Sequence, residues 1–346
     1  MQLALLAVGT LPQRGGLEME KELDALRAQL GEWRWLLVVA AAHESGIFTA
    51  LATGSLAVED LAGRLGLEQR ATYVVAEALV AGGFLAGAGR RYRLSEAARR
   101  LLLDESDPAY FAPSIMHSRD LAARWLQLPE ILKGNRPGRP RGSAPGNFTA
   151  AMAAGARTSA PEVVERCLAH FPEARRVMDV GGGPGVHARA FHEKGMAVTI
   201  LDRPEVIELV RPRWAGASDV TLVGGDFTVG LPEGPFDLVL LGNVCHIYGP
   251  EENLRLFKRV AAALAPGGGV AIIDFVRGRS VAAALFGVNM LTASASAGTW
   301  TEAEYRAWLT EAGFGEIEVA DVGSPVGETD ARLHQLILAR RIAVAS

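Results

Sequence analysis

The chain has 346 residues, 49% of them hydrophobic and 21% charged, the profile of a soluble globular protein with room for two domains of roughly 100–200 residues. Its formal net charge of −4 excludes a global pull toward nucleic acid or anionic membrane. Cys167 and Cys245 lie far apart, outside any CxxC spacing or Cys/His cluster, which argues against a disulfide framework or structural zinc and fits a reducing compartment.

The apolar start, Met1 to Val8, lacks the basic flank of a signal peptide, and no run reaches the roughly 18 apolar residues of a membrane span. A cytoplasmic protein is expected. Residues 17–50 carry Leu17, Leu23, Leu26, Leu30 and then Trp33 to Ala42 at helical spacing, suiting an amphipathic packing or dimerisation arm. A short helix ending at Gly66, a helix from Gln69 to Val80, and strands at 84–86 and 91–94 follow. That order is the order of a winged helix-turn-helix. Arg90, Arg91, Arg93, Arg99 and Arg100 raise DNA binding, but residues 70–80 offer one Arg and one Glu among mostly apolar side chains. Dimerisation is the better reading of this module, and no nucleic-acid partner is expected.

Residues 108–160 read as a helical connector broken by the Pro/Gly/Arg-rich loop 133–142, a solvated loop unless its arginines meet an acidic substrate. From Ala174 strands and helices alternate: strands at 176–180, 197–201, 220–223, 236–241 and 270–275, and helices at 186–194, from 205, and at 253–264, the last closed by Gly267-Gly268-Gly269. This predicts a mostly parallel, doubly wound α/β sheet whose ligands bind beyond the carboxyl ends of the strands. The expected domains are 1–105, a connector over 106–172, and 173–346.

Chemistry gathers at those strand ends. Asp179 and Val180 run into Gly181-Gly182-Gly183-Pro184-Gly185, where glycines let the backbone turn sharply and approach a ligand. The loop lacks the GxGxxG spacing of dinucleotide enzymes, and Asp179 would repel a pyrophosphate yet can organise the loop for a zwitterionic amino-acid tail. Asp202, after the second strand, can accept from ribose hydroxyls or cap the following helix. Asp226 and Phe227, after Gly224-Gly225, can bracket an adenine or form an ordinary turn. His246 follows the fourth strand and Asp274 ends the fifth. An imidazole there can take a proton near neutral pH.

Together these residues resemble the class I S-adenosylmethionine-dependent methyltransferases over 174–275. Over about 30–340 the chain is similar to the two-domain small-molecule O-methyltransferases typified by plant caffeic acid and flavonoid enzymes and by bacterial antibiotic-pathway and pigment-pathway enzymes. The resemblance implies a Rossmann-like sheet with an N-terminal winged-helix dimerisation domain, a homodimer, S-adenosyl-L-methionine with S-adenosyl-L-homocysteine as product, and no metal. It implies cofactor contacts from Asp179, Gly181, Gly182, Gly183, Asp202, Arg203, Asp226, Phe227 and Asn243. It implies His246 as general base oriented by Asp274, and an aromatic or polycyclic acceptor lined by Phe148, Met152 and Met290, with His117 able to face the same pocket. The sequence departs from the family at Arg203, at Gly242 where a lysine is common, at Ile247-Tyr248, and at Thr299 where a second carboxylate would fall. N- or C-methylation, a non-methylating relative, and a ligand-sensing DNA-binding regulator stay open at this point.

Overall fold

The computed structural model describes residues 33–107, 110–135, 145–325 and 332–342; within the long helix that begins at Pro145, the side chains of 145–155 and 158 lie outside the described set. The chain divides into two compact units, one built from residues 8–126 and 138–154, the other principally from 127–137 and 155–346. That division falls inside the segment read as a connector.

The first unit contains α1 (Trp33–Glu44), α2 (Ile47–Ala50), β1 (Leu56–Ala57), α3 (Val58–Leu65), α4 (Gln69–Ala81), β2 (Leu85–Ala88), β3 (Arg91–Leu94), α5 (Glu96–Leu102) and α6 (Ala112–Trp125). Helix, tight turn, helix and hairpin therefore follow in the expected order. Gly66 stops α3 with φ 66°, a conformation that costs glycine little, and the Glu68 carboxylate takes the N–H groups of Arg70 and Ala71 at the start of α4. β3 pairs with both β2 and β1; the latter, a two-residue strand, escapes a periodicity reading. Phe48, Leu51, Leu61, Leu79 and Tyr92 close the core of this unit.

The second unit continues with α7 (Leu128–Leu132), α8 (Pro145–His170, from residue 155 onward), β4 (Arg176–Val180), α9 (Val186–Glu193), β5 (Ala197–Asp202), α10 (Pro204–Val210) and β6 (Val220–Gly224). Then come β7 (Phe236–Gly242), α11 (Pro250–Ala263), β8 (Leu264–Asp274), β9 (Val276–Arg277), α12 (Val281–Ala293), β10 (Trp300–Thr301), α13 (Glu302–Glu311), β11 (Phe314–Pro325) and β12 (Arg332–Arg341). Seven strands form one sheet in the order β11-β12-β8-β7-β4-β5-β6, parallel except for β12, which runs antiparallel to both its neighbours. Buried side chains from α8, α9 and α10 cover one face, and those from α11 and α13 cover the other.

The largest boundary difference from expectation lies at the triple glycine. The helix predicted over 253–264 begins at Pro250 and ends at Ala263, and Gly267 to Gly269 lie inside β8 instead of closing the helix. The reason is steric. A Cβ on Gly269 would stand 2.2 Å from Phe171 and 2.6 Å from the Ala339 carbonyl, so only glycine lets these strands close.

Candidate active site

The strand register gathers the predicted residues along one edge. Val180 pairs with Leu201 on one side and Leu241 on the other, Asp202 pairs with Gly224, and Gly242 pairs with Ile273. Every parallel strand of the sheet thus delivers its carboxyl end to the same border, and β4 sits where the strand order reverses. An open α/β sheet binds ligands at that position.

The glycine loop holds a cramped, positively twisted path. Gly181 and Gly183 adopt φ 68° and 51°. A Cβ on Gly182 would lie 2.8 Å from Ile200 and 3.0 Å from the Asp179 carboxyl carbon. Asp202 Oδ2 accepts the Gly183 N–H at 2.8 Å and Oδ1 accepts the Arg203 N–H at 2.7 Å. The second contact is to the residue before α10, whose N-terminus receives no side-chain cap, so Asp202 organises the loop and does not cap the helix. Asp179 is 3% exposed. Burial, then the nearby Asp202 charge, pushes its carboxyl up to about 7, against a partly compensating hydrogen bond from the Ala188 N–H. A carboxyl so placed favours any cation brought to the loop.

At the far end of the edge, Asp226 Oδ1 accepts both the backbone N–H and the hydroxyl of Thr228, which lowers its carboxyl below the usual range. Phe227 meets Tyr248 edge-to-face at 5.7 Å. The two rings flank a cleft of about 220 Å³ also lined by Glu252 and Arg259. Asn243 takes φ 57°, a left-handed conformation that asparagine tolerates better than most residues, and its N–H donates to the Ile273 carbonyl. This pinned turn aims the chain into the short 3-10 helix Cys245–Ile247.

His246, in that helix, lies 28 positions from Asp274 in sequence and against it in space. Nδ1 stands 2.7 Å from Asp274 Oδ1, and the His246 backbone N–H donates to Oδ2 at 3.0 Å. Asp274 is fully buried and also accepts the Phe275 N–H at 2.8 Å. A buried carboxylate with these donors stays the acceptor, so it orders the tautomer with the proton on Nδ1 and the lone pair on Nε2. Among the described residues no hydrogen bond reaches Nε2. The Gly298 N–H and the Trp300 indole hold the carbonyls of His246 and Cys245, so the loop is fixed from both sides.

Several neighbours were not singled out from the sequence. Phe286, from α12, meets the His246 ring edge-to-face at 4.8 Å and stacks on Phe275 at 3.8 Å. His334, at the start of β12, packs its ring 4.4 Å from Phe275. Burial holds His334 and His187 down at about 4, and the His187 Nε2 is buried without a partner among the described residues. Met290 lies one turn beyond Phe286 on α12, half-buried. Thr299, at the position of the missing carboxylate, is buried with its hydroxyl unpaired among the described residues; a Cβ on Gly287 would stand 2.8 Å from that hydroxyl. His117 is half-buried in α6 of the other unit, held below its usual range by burial and by Arg124. Phe148 and Met152 fall in the first part of α8, where side chains lie outside the described residues.

Residues 145–315 match the model of the O-methyltransferase domain. The 3-hydroxy-5-methyl-1-naphthoate 3-O-methyltransferase of Streptomyces sahachiroi is 30% identical over 320 residues, covering 85% of this chain and 90% of that protein. The tetracenomycin polyketide synthesis 8-O-methyl transferase of Streptomyces glaucescens is also 30% identical, over 82% of this chain and 89% of its own length. Among solved structures, mitomycin 7-O-methyltransferase superposes with a TM-score of 0.75 at 22% identity, covering 94% of this chain and all of that one. Human N-acetylserotonin methyltransferase, solved in complex with S-adenosylmethionine, gives 0.73 at 21% identity, covering 97% of this chain and 100% of its own. These two likenesses show the shared fold.

Proposed function

This chain belongs to the O-methyltransferase family, and on that premise we propose that it methylates a hydroxyl of an aromatic or polycyclic small molecule, with S-adenosylmethionine as donor and His246 as general base. The observation that carries the reading is the buried contact between Asp274 and His246 Nδ1, 2.7 Å long, at the carboxyl edge of the sheet.

The residues at that edge suit the nucleoside. A Cβ on Gly181 or Gly182 would clash with Val244 or Ile200, so only glycine holds the turn on its tight path, and Asp202 is tied to the turn through the Gly183 N–H. Asp202 would hold the ribose, Asp226 and Phe227 the adenine, and Arg203 and Asn243 flank them. Asp179, drawn toward ionisation by a cation, would favour the ammonium group of the zwitterionic amino-acid tail. When bound, S-adenosylmethionine supplies an electrophilic methyl group and leaves as S-adenosylhomocysteine. The chain's part is to orient the acceptor hydroxyl and to take its proton. With Nδ1–H committed to Asp274, the Nε2 lone pair receives that proton, and the fully buried carboxylate stabilises the imidazolium that results. Phe286 and Phe275 flank the imidazole with apolar rings suited to a flat acceptor.

The relatives named for naphthoate and tetracenomycin support an aromatic or polyketide-derived hydroxyl as the acceptor. The 8–126 unit presents Trp33, Trp35, Val74 and Phe111 to solvent, apolar area that a homodimer would cover. Incubating the protein with S-adenosylmethionine and a panel of hydroxynaphthoates and amino-substituted hydroxynaphthoates tests the reading. Gain of one methyl on the hydroxyl oxygen supports it; methylation at nitrogen or carbon alone rejects it.

A further inference from the structure

Asp274 carries one contact that the proton step does not use. Tyr305, from α13, brings its hydroxyl to 3.3 Å from Asp274 Oδ2, the same oxygen that accepts the His246 backbone N–H. The tyrosine is fully buried, with its ring edge-to-face against Trp308 at 5.8 Å. The buried Cys245 thiol is a further influence on this hydroxyl. Burial, then the Asp274 charge, pushes this phenol well above the usual range. A hydroxyl that keeps its proton beside an anion acts as a donor.

We propose that Tyr305 is a positioning residue that sets the basicity of His246 through Asp274. The inference rests on the reading of His246 as general base. The carboxylate has a fixed charge to share among its donors, and each donor draws charge from the oxygen it touches. Tyr305 holds charge on Oδ2, away from Oδ1, where the imidazole Nδ1 sits. With less charge at Oδ1 the imidazolium is less stabilised, and the ring gives up its proton at a lower pH. The hydroxyl thus keeps the base in its neutral, active form.

The other groups around the dyad leave this contact as its tuning element. Cys245, on the same short helix as His246, is a buried thiol raised well above its usual range, and so neutral. His334, from β12, is held at about 4 and stays neutral where the dyad works. α12 packs Phe286 and α11 packs Asn253 here, and neither titrates. Among the described residues Tyr305 is the titratable neighbour besides His246 whose side chain touches the carboxylate directly.

The test compares wild type with Tyr305→Phe, which removes one oxygen and keeps the ring. The His246 imidazole is titrated by NMR in the S-adenosylhomocysteine-bound protein, and kcat/KM is followed against pH with a hydroxynaphthoate turned over by wild type. The expected result is an upward move of both midpoint and acidic limb by about half a pH unit, which lowers turnover about threefold on that limb and leaves the high-pH plateau within about twofold. Site-specific 3-fluorotyrosine at position 305, a stronger donor of nearly the same shape, should move the midpoint down. An unmoved midpoint in both variants overturns the proposal, and so does a fallen plateau with the midpoint in place. If His246→Ala retained full turnover, the base reading would fail, while the NMR midpoint would still decide whether Tyr305 acts on His246.

Discussion

Asp274 grips His246 at two points, Oδ1 at the ring nitrogen and Oδ2 at the backbone N–H, so one carboxylate fixes both the rotation of the imidazole and the path of the loop that carries it. Charge-assisted hydrogen bonds of this kind contribute about 1.5–3 kcal/mol each. Replacing Asp274 with Asn keeps the size and removes the charge. Turnover is expected to fall by roughly two to four orders of magnitude, the range seen when a base loses its orienting carboxylate. Cofactor affinity, measured by calorimetry, should stay within about threefold.

Asp202 should behave differently. Its carboxylate accepts the Gly183 N–H, so Asp202→Ala removes a ribose acceptor and leaves a loop N–H unpaired. S-adenosylhomocysteine affinity is expected to drop at least tenfold, about 1.4 kcal/mol. Equal affinity in calorimetry would count against the ribose role.

Asp179 links cofactor uptake to protons. Its carboxyl titrates near 7 in the free protein because ionisation is opposed by burial and by Asp202. A cationic ligand favours the ionised form, so binding S-adenosylmethionine should release up to one proton between pH 6 and 7 and tighten as pH rises through about 7. Calorimetry in buffers of different ionisation enthalpy measures this release. Proton uptake, or none, would contradict the placement of positive charge beside Asp179.

His187 and His334 set an acid limit to stability. Both are held near 4 by burial, below the roughly 6.5 of an unfolded histidine, so the unfolded chain binds more protons between these values. Their contribution is whole above about pH 6.5 and is lost as pH falls toward 4. Each is worth up to about 3 kcal/mol over that window. His187→Leu should therefore flatten the fall of the unfolding midpoint between pH 6.5 and 4 relative to wild type.

The glycine loop offers a steric test. A Cβ on Gly182 would meet Ile200 at 2.8 Å and the Asp179 carboxyl at 3.0 Å, neither able to retreat within a packed strand end. Gly182→Ala should destabilise the protein by about 1–3 kcal/mol in chemical denaturation and abolish measurable cofactor binding.

The half of the site made by local patterns is legible in the sequence. The strand from Arg176, the glycine turn, Asp202 two elements on, and His246 after the long apolar strand each announce themselves within a few residues. The sheet register then brings them to one border, because parallel strands align their carboxyl ends. The part that local patterns do not reveal depends on long-range pairing. β12 returns antiparallel between β8 and β11, and only that pairing carries His334 to the edge beside Phe275. Tyr305 and Phe286 lie in ordinary-looking helices, and nothing in their spacing tells which buried group they will touch. The run Gly267 to Gly269 resembles a helix stop, but its last member, Gly269, answers instead to Phe171, far earlier in the chain.

We propose that His246, held by Asp274, takes the acceptor's proton during O-methylation. The most direct measurement is single-turnover methyl transfer from labelled S-adenosylmethionine to a hydroxynaphthoate, comparing wild type with His246→Ala at saturating cofactor and pH 7.5. The expected result is a methyl ether formed by wild type and a rate at least about 100-fold lower in the variant, with cofactor affinity unchanged. A variant that transfers the methyl group at the wild-type rate would contradict it.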